Sequence, residues 1–299
     1  MQHLQVLLIL VITGFSSCAS NRPSLNKVEK QIESLVNETA GTYAIAFSDL
    51  SDTSRQILIN EQVVFHAAST MKTPVMMEIF KQAQDGQIGL YDKVLVKNQF
   101  TSIVDGSLFS IDINEDSDET LYHQIGNEVS VFDLMYNMII NSSNLATNIL
   151  IEKIGAENVT RTMRELGATD IKILRGVEDI KAYRKGMSNT TTAFDLMVLF
   201  RQIGQNSFLD EVSCRRMTNI LLDQKHNELI PAHLPPGVKV AHKTGFITKI
   251  LHDSGLVILP DGRKYVLVVL SKEWKNREEA TETIARISKM IYDFYTSND

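Results

Sequence analysis

Lys239-Val240-Ala241-His242-Lys243, Gly255-Leu256-Val257-Ile258-Leu259 and Tyr265-Val266-Leu267-Val268-Val269-Leu270 decide the fold. They follow Pro235-Pro236-Gly237 and read as strands, the last two joined by the turn Pro260-Asp261-Gly262. Outward from them, Tyr43 to Phe47 and Gln56 to Ile59 are β-rich as well, and Ser48-Asp49-Leu50-Ser51-Asp52 between them carries turn chemistry, which makes a hairpin. The chain between, from Thr70 to about Gln224, follows a helical period. Strands from the two ends can share a sheet only if the chain returns to its start. The expected fold class is therefore α/β: an antiparallel sheet built from N- and C-terminal segments and flanked by helices, with an all-helical lobe inserted between them. The α/β lobe takes residues 26–68 and 238–299, and the helical lobe residues 69–237.

The helices are marked by their caps. Ser130 with Asp133 reads as a capping box opening a helix through Ile140, and Thr192 with Asp195 opens another through Ile203. Asn144 can cap a helix that stops at Gly155, and a further one runs from about Glu157 to Leu166, ending at Gly167. Helices at Asn26 to Val36 and Asn276 to Tyr295 flank the expected sheet. The most polar segment, Asp112 to Thr120 with its five acidic residues, reads as a surface loop.

The 299 residues, 43% hydrophobic, suffice for a sizeable core. A formal net charge of −6 with no dense Lys/Arg run excludes nucleic acid as a main partner. The apolar run Leu4 to Ile12, closed by the small residues Ser16 to Ser20, is too short to span a bilayer and reads as a secretory signal over residues 1–20. Export to the periplasm is the expectation. Residues 21–25 then form a tether, and the folded domain takes residues 26–299. Cys18 falls where a lipoprotein signal places its lipidated cysteine, so a membrane anchor at Cys18 is also expected. Cys214 is the other cysteine, which leaves no internal disulfide once Cys18 is removed or lipidated.

Three short motifs carry chemistry. Ser69-Thr70-Met71-Lys72 is an S-x-x-K at the start of a helix, where residues three apart share a face and the Lys72 amine can reach the Ser69 hydroxyl. A serine hydroxyl is a weak nucleophile until a neighbouring base takes its proton, and a desolvated lysine can serve. Alone the motif means little, since Ser24-Leu25-Asn26-Lys27 repeats it with no site around it. The second element is Ser142-Ser143-Asn144, in the break between two helices. The third is Lys243-Thr244-Gly245 at a strand end, where a cation and a hydroxyl reach the site edge and Gly245 lets a substrate backbone approach. His66, His123, His226, His233, His242 and His252 show no zinc-ligand spacing, and no glycine-rich phosphate loop is present, so neither metal nor cofactor is expected.

S-x-x-K, S-D-N and K-T-G in this order are the signature of class A β-lactamases and penicillin-binding proteins, and the chain resembles that family from about residue 26 to its end. Ala67-Ala68-Ser69-Thr70-Met71-Lys72, Thr190-Thr191-Thr192-Ala193 and His242-Lys243-Thr244-Gly245 are similar to the family's segments. The resemblance implies that Ser69 is acylated, that Lys72 takes its proton and that Ser142 relays a proton to the leaving nitrogen. It implies that Asn144 binds the substrate's side-chain amide, that Lys243 and Thr244 hold its carboxylate, and that the N–H groups of Ser69 and Phe246 form the oxyanion hole. The implied partner is a small-molecule β-lactam or a cell-wall peptide, and a monomer is expected.

Two departures stand out. Ser143 replaces the acid of S-D-N, and the usual R-x-E-P-x-L-N loop is missing. Arg175-Gly176-Val177-Glu178-Asp179 lies in its place, with Glu178, offset by one, as the candidate base for deacylation. Two further readings follow from that departure: a penicillin-binding protein or cell-wall peptide hydrolase that deacylates slowly, and a catalytically inactive sensor of cell-wall fragments.

Overall fold

The computed structural model describes residues 24–297. The expected signal segment, Cys18 and residues 21–23 of the tether lie outside them. Helix α1 (Leu25–Glu38) leads into strands β1 (Thr42–Asp49), β2 (Gln56–Ile59) and the short β3 (Phe65–His66). A single 3₁₀ turn, Ala68–Met71, then opens α2 (Lys72–Gln84). Three small strands follow, β4 (Lys93–Leu95), β5 (Phe100–Thr101) and β6 (Leu108–Phe109), before β7 (Glu128–Ser130). Next come α3 (Val131–Ile140), α4 (Asn144–Ile154), α5 (Ala156–Glu165), the one-turn α6 (Ile180–Arg184) and the two-residue β8 (Thr190–Thr191). Helices α7 (Ala193–Gly204) and α8 (Glu211–Leu222) precede β9 (Lys239–Ile247), β10 (Ile250–Ile258), β11 (Lys264–Lys272) and α9 (Arg277–Thr296).

The main sheet has the order β2-β1-β11-β10-β9 and is antiparallel throughout, so strands from both ends of the chain meet as the sequence requires. Phe47 pairs with Leu267 and Ala44 with Leu270. Along β1 and β11 alternate residues serve two different cores. Tyr43, Ile45, Phe47, Tyr265, Leu267 and Val269 face α1 and α9, while Ala44, Ala46, Val266, Val268 and Leu270 face the helical layer. A sheet covered on both faces leaves no polar side, hence the near-continuous apolar run Val266–Leu270. The small Ala44 and Ala46 sit where α7 crosses β1.

Both N-caps form as read, but the reciprocal half of each capping box does not: Asp133 Oδ2 accepts from Ser130 Oγ and Asp195 Oδ2 from Asp170 N. Ser130 Oγ accepts from Asp133 N at 3.1 Å and Thr192 Oγ1 from Asp195 N at 3.0 Å. Four expectations need correction. The inserted lobe is not all-helical: its connecting segments pair as β4 with β7 and β5 with β6, and β8 pairs back to β3, contacts between segments that no helical period along the chain reveals. Strands β9 and β10 run further than the sequence suggests, because their register past Gly245 continues to Ile247 and Ile250, residues with no strand-like alternation of their own. The cap of α4 is Ser143, not Asn144: the Ser143 hydroxyl accepts from Ala146 N at 3.3 Å, and Asn144 is already helical. The acidic segment 112–120 is more than a surface loop. Asp118 is buried there, and the Asp116 carboxylate reaches across to the start of α4.

Phe47 shows what joins the two ends of the chain. Fully buried on β1, its ring lies 5.5 Å from Tyr265 and 6.3 Å from both Phe294 and Tyr295. Phe47→Ala leaves a cavity among three aromatic rings, and urea unfolding should report a loss of about 3–5 kcal/mol.

Candidate active site

Ser69 stands in the 3₁₀ turn, partly exposed, with Lys72 buried one turn on as the first residue of α2. Ala68, just ahead, takes a φ of +45° that a residue with a Cβ rarely adopts. Several contacts hold this strained corner. Ala68 N donates to His66 Nδ1 at 3.0 Å, Ala67 N to Asn189 O at 2.8 Å, and Thr70 Oγ1 to Ala67 O at 2.6 Å. His252 on β10 bonds His66 O at 3.0 Å. Because His252 Nδ1 accepts from Ser271 N at 3.1 Å, its Nε2 carries the proton that His66 O accepts. Burial pushes both imidazoles down to about 4, which keeps His66 Nδ1 an acceptor near neutral pH.

Lys72 is fully buried, and its Nζ donates to Ser142 O at 2.7 Å, Ser142 Oγ at 3.2 Å and Asn144 Oδ1 at 2.9 Å. The Ser69 hydroxyl is not among these acceptors. From β9, Lys243 Nζ reaches the same Ser142 Oγ at 3.2 Å and Thr244 O at 3.0 Å. One hydroxyl thus bridges two buried amines. Burial, opposed by the charges of Asp116 and Glu178, lowers Lys72 to about 7. Burial and the facing Lys72 charge push Lys243 well below an ordinary lysine. Ser142 itself takes a φ of +60°, which turns the chain sharply between α3 and α4.

Glu178 lies on the segment between α5 and α6, half-buried and at a φ of +60°. Burial holds its carboxyl above the usual range, partly offset by Arg175 and Lys72. Asn148 on α4 clamps the preceding residue, accepting from Val177 N at 2.6 Å and donating to Val177 O at 3.0 Å. A Cβ at Gly176 would stand 2.2 Å from Asn148 Oδ1, so only glycine fits under that clamp. Asp179, by contrast, is buried and structural. It caps α6 through Ala182 N at 3.0 Å and accepts from Ser102 Oγ at 2.9 Å and Ile103 N at 3.0 Å.

Strand β9 passes directly over the nucleophile turn. A Cβ at Gly245 would lie 3.1 Å from both Ser69 N and Thr70 N. That approach brings Thr244 and Phe246 alongside Ser69. Thr244 is buried, while the Phe246 ring is half-exposed beneath Arg277, whose guanidinium carbon is 4.2 Å from the ring centroid. Among the described residues, no three or more His, Cys, Asp or Glu side chains are grouped to hold a metal ion.

Comparison with known proteins places this geometry. The model of the beta-lactamase enzyme family matches residues 27–295. The chain belongs to the beta-lactamase enzyme family. It is a serine β-lactamase-like hydrolase, a class whose members act on cyclic amides. A beta-lactamase of Bacteroides uniformis is 25% identical over 95% of this chain and 97% of its own length. The extended-spectrum beta-lactamase PER-1 of Pseudomonas aeruginosa is 24% identical, over 95% of this chain and 92% of its own. Among solved structures, PBP-A superposes with a TM-score of 0.78 at 28% identity, covering 91% of this chain and 97% of that one. A mutant of PBP-A solved as its acyl-enzyme complex with penicillin G superposes at 0.76 with 27% identity.

For a member of the β-lactamase family the three motifs were legible, but several residues that set the site were not. Asn148, Asn189, His252 and Asp116 aim side-chain polar atoms at backbone groups 14 or more residues along the chain, and no spacing rule reveals such contacts; His66 bonds a backbone N–H only two residues on, but outside any recognised motif. Arg263, close to the last strands, pairs with Asp261 and covers Tyr295. Arg277 is the one beside Phe246.

Gly245→Ala tests the approach of β9. Its methyl must push the backbone N–H of Ser69, and acylation should slow by about 10²–10³-fold, as when one oxyanion donor is lost. Circular dichroism should show the fold unchanged, and rapid-mixing labelling with a fluorescent penicillin measures the rate.

Proposed function

We propose that the protein opens β-lactam rings through an acyl-enzyme on Ser69. The observation that carries this reading is the Ser142 hydroxyl held at 3.2 Å from both Lys72 Nζ and Lys243 Nζ, beside a turn whose Ser69 N–H faces β9. Ser69 Oγ attacks the lactam carbonyl carbon while its proton passes to the neutral Lys72 amine. The N–H groups of Ser69 and Phe246 receive the oxyanion. When the C–N bond breaks, the lactam nitrogen takes the Ser142 proton, and the bridged lysines return one to Ser142. Lys243 and Thr244 meet the substrate carboxylate, a pairing of cation and hydroxyl with an anion. Asn144 Nδ2 is left to bind the substrate amide, since its Oδ1 accepts from Lys72. Glu178 then takes a proton from the water that attacks the acyl carbon, and as the acyl C–O bond breaks that proton is returned to the leaving Ser69 oxygen, which restores both groups.

Export on the signal of residues 1–20 and a lipid anchor at Cys18 belong to the same proposal, supported by the sequence alone. Wild-type protein should then sediment with membranes and Cys18→Ser should not; a soluble wild type refutes the anchor.

A second reading, a penicillin-binding protein that deacylates slowly, is favoured by two observations. Asn148 clamps Val177 rather than Glu178, and the Glu178 carboxylate has no hydrogen-bond partner among the described residues. Nitrocefin separates the two, by turnover in the first case and a stable adduct in the second.

Ser69→Ala should abolish covalent labelling by a fluorescent penicillin, while Ser24→Ala leaves it intact; labelling that survives in the Ser69 variant refutes the mechanism. Glu178→Gln should acylate and then stall, with hydrolysis slower by about 10²–10⁴-fold and a mass adduct on Ser69. Asp179→Asn should instead cost stability, because its two oxygens anchor three N–H or O–H donors.

Acylation needs the unprotonated Lys72 amine, which exists above its pKa. The acylation rate should therefore climb with pH through about 7 and level off above it, in a stopped-flow pH series.

A further inference from the structure

The Asp116 carboxylate has no part in the mechanism above, yet it is bonded to the motif that carries Ser142 and Asn144. Its Oδ1 accepts from Asn144 N at 2.8 Å and from Asp118 N at 3.3 Å. Its Oδ2 accepts from Leu145 N at 2.8 Å and from the Tyr122 hydroxyl at 3.0 Å. A helix start leaves four N–H groups without intrahelical partners. In α4 all four are accounted for: Ser143 N bonds Asn137 O at 3.3 Å, Asn144 N and Leu145 N bond Asp116, and Ala146 N bonds Ser143 Oγ. Half of that satisfaction comes from one side chain 28 residues away from Asn144.

The middle position of the motif explains the need. An acid at 143 would place a negative charge at the positive end of α4 and cap it at once. Ser143 caps with a hydroxyl and carries no charge. We propose that Asp116 is a positioning residue of the acylation machinery, supplying from the acidic loop the charge and the backbone anchor that Ser143 lacks, and so holding Ser142 and Asn144 against Lys72.

The inference rests on the reading of Lys72 as the base that activates Ser69. The charges around Lys72 come from four elements: Asp116 from the acidic loop, Glu178 from the segment before α6, Lys243 from β9, and His226 from the segment after α8. Asp116 and Glu178 favour the protonated amine, and Lys243 in its charged form opposes it. Removing the Asp116 charge should make Lys72 give up its proton more readily, which moves the acid limb of acylation to lower pH. Releasing Asn144 N and Leu145 N should also let the turn shift, and a catalytic group misplaced by about 1 Å can cost about 10²-fold in rate.

The test compares Asp116→Asn, the double variant Asp116→Asn with Ser143→Asp, and Asp112→Asn, an exposed acid of the same loop, as control. Two quantities are read: the pH profile of Ser69 acylation by a fluorescent penicillin, and the titration of Lys72 followed by NMR at its Cε without substrate. Asp116→Asn should acylate more slowly, by up to about 10²-fold, with both the acid limb and the Lys72 titration displaced to lower pH. Ser143→Asp should return rate and titration toward wild type, and Asp112→Asn should match wild type. The proposal is overturned if Asp116→Asn behaves like Asp112→Asn. It is equally overturned if the rate falls while the Lys72 titration stays in place and Ser143→Asp restores nothing, which is the signature of a loosened fold alone. If the titration moves and is restored while no protein, wild type included, labels at Ser69, the link from Asp116 to Lys72 stands and the failure belongs to the acylation reading.

Discussion

Two lysines are buried against one serine hydroxyl, and the arrangement of the site follows from that constraint. An ammonium taken from water needs acceptors, and here the direct acceptors are uncharged: Ser142 O, Ser142 Oγ and Asn144 Oδ1 for Lys72, Ser142 Oγ and Thr244 O for Lys243. Neutral acceptors solvate a cation less fully than a carboxylate in contact would, so burial lowers Lys72 to about 7 and holds Lys243 well below an ordinary lysine, and neither amine is locked into an ion pair. The carboxylates that matter, Asp116 and Glu178, act at a distance. This is how one pocket keeps a lysine basic enough to accept a proton and free enough to give it back.

Keeping those groups in place requires backbone shapes that the chain would otherwise avoid. Ala68, Ser142 and Glu178 all have positive φ, one on each of three separate segments near Lys72, and such residues cost about 1–3 kcal/mol each. Each is pinned by a polar side chain on a different element. His66 holds Ala68 N; Asp116 and Ser143 hold the turn after Ser142; Asn148 holds the residue before Glu178. Asn189 joins two of these segments, its backbone oxygen bonded to Ala67 N and its side-chain oxygen to Leu174 N at 2.8 Å. The two apolar cores supply the rigid surroundings in which such strain persists.

What the sequence made legible follows the range of the interactions. The N-caps at Ser130 and Thr192, the hairpin at Ser48–Asp52 and the helix stop at Gly155 depend on neighbours within a few positions, and all of them formed. The S-x-x-K, Ser142–Asn144 and K-T-G segments could be recognised because each keeps its chemistry within four residues. The reach of β9 and β10 past Gly245 could not be read, since it comes from pairing between strands rather than from alternation along one. Nor could the work of Asp116, whose bonds to Asn144 and Leu145 skip over a helix. Five acids in nine residues look like solvated surface until a helix start is found among their partners.

The sheet has a further consequence, for the order in which the molecule assembles. Strand β1 lies between β2 and β11, and the Tyr295 hydroxyl on α9 closes onto Asp49 across 246 residues. During synthesis the β1–β2 hairpin emerges early and then waits with an unpaired edge while the helices between are made. Contacts of such high order raise the entropic barrier to folding and make it slow. The helical layer is rich in local contacts and can form ahead of the sheet. The lysines on α2 and β9 therefore meet across Ser142 only once the last strands have docked, so chemical competence is acquired in a late step of folding.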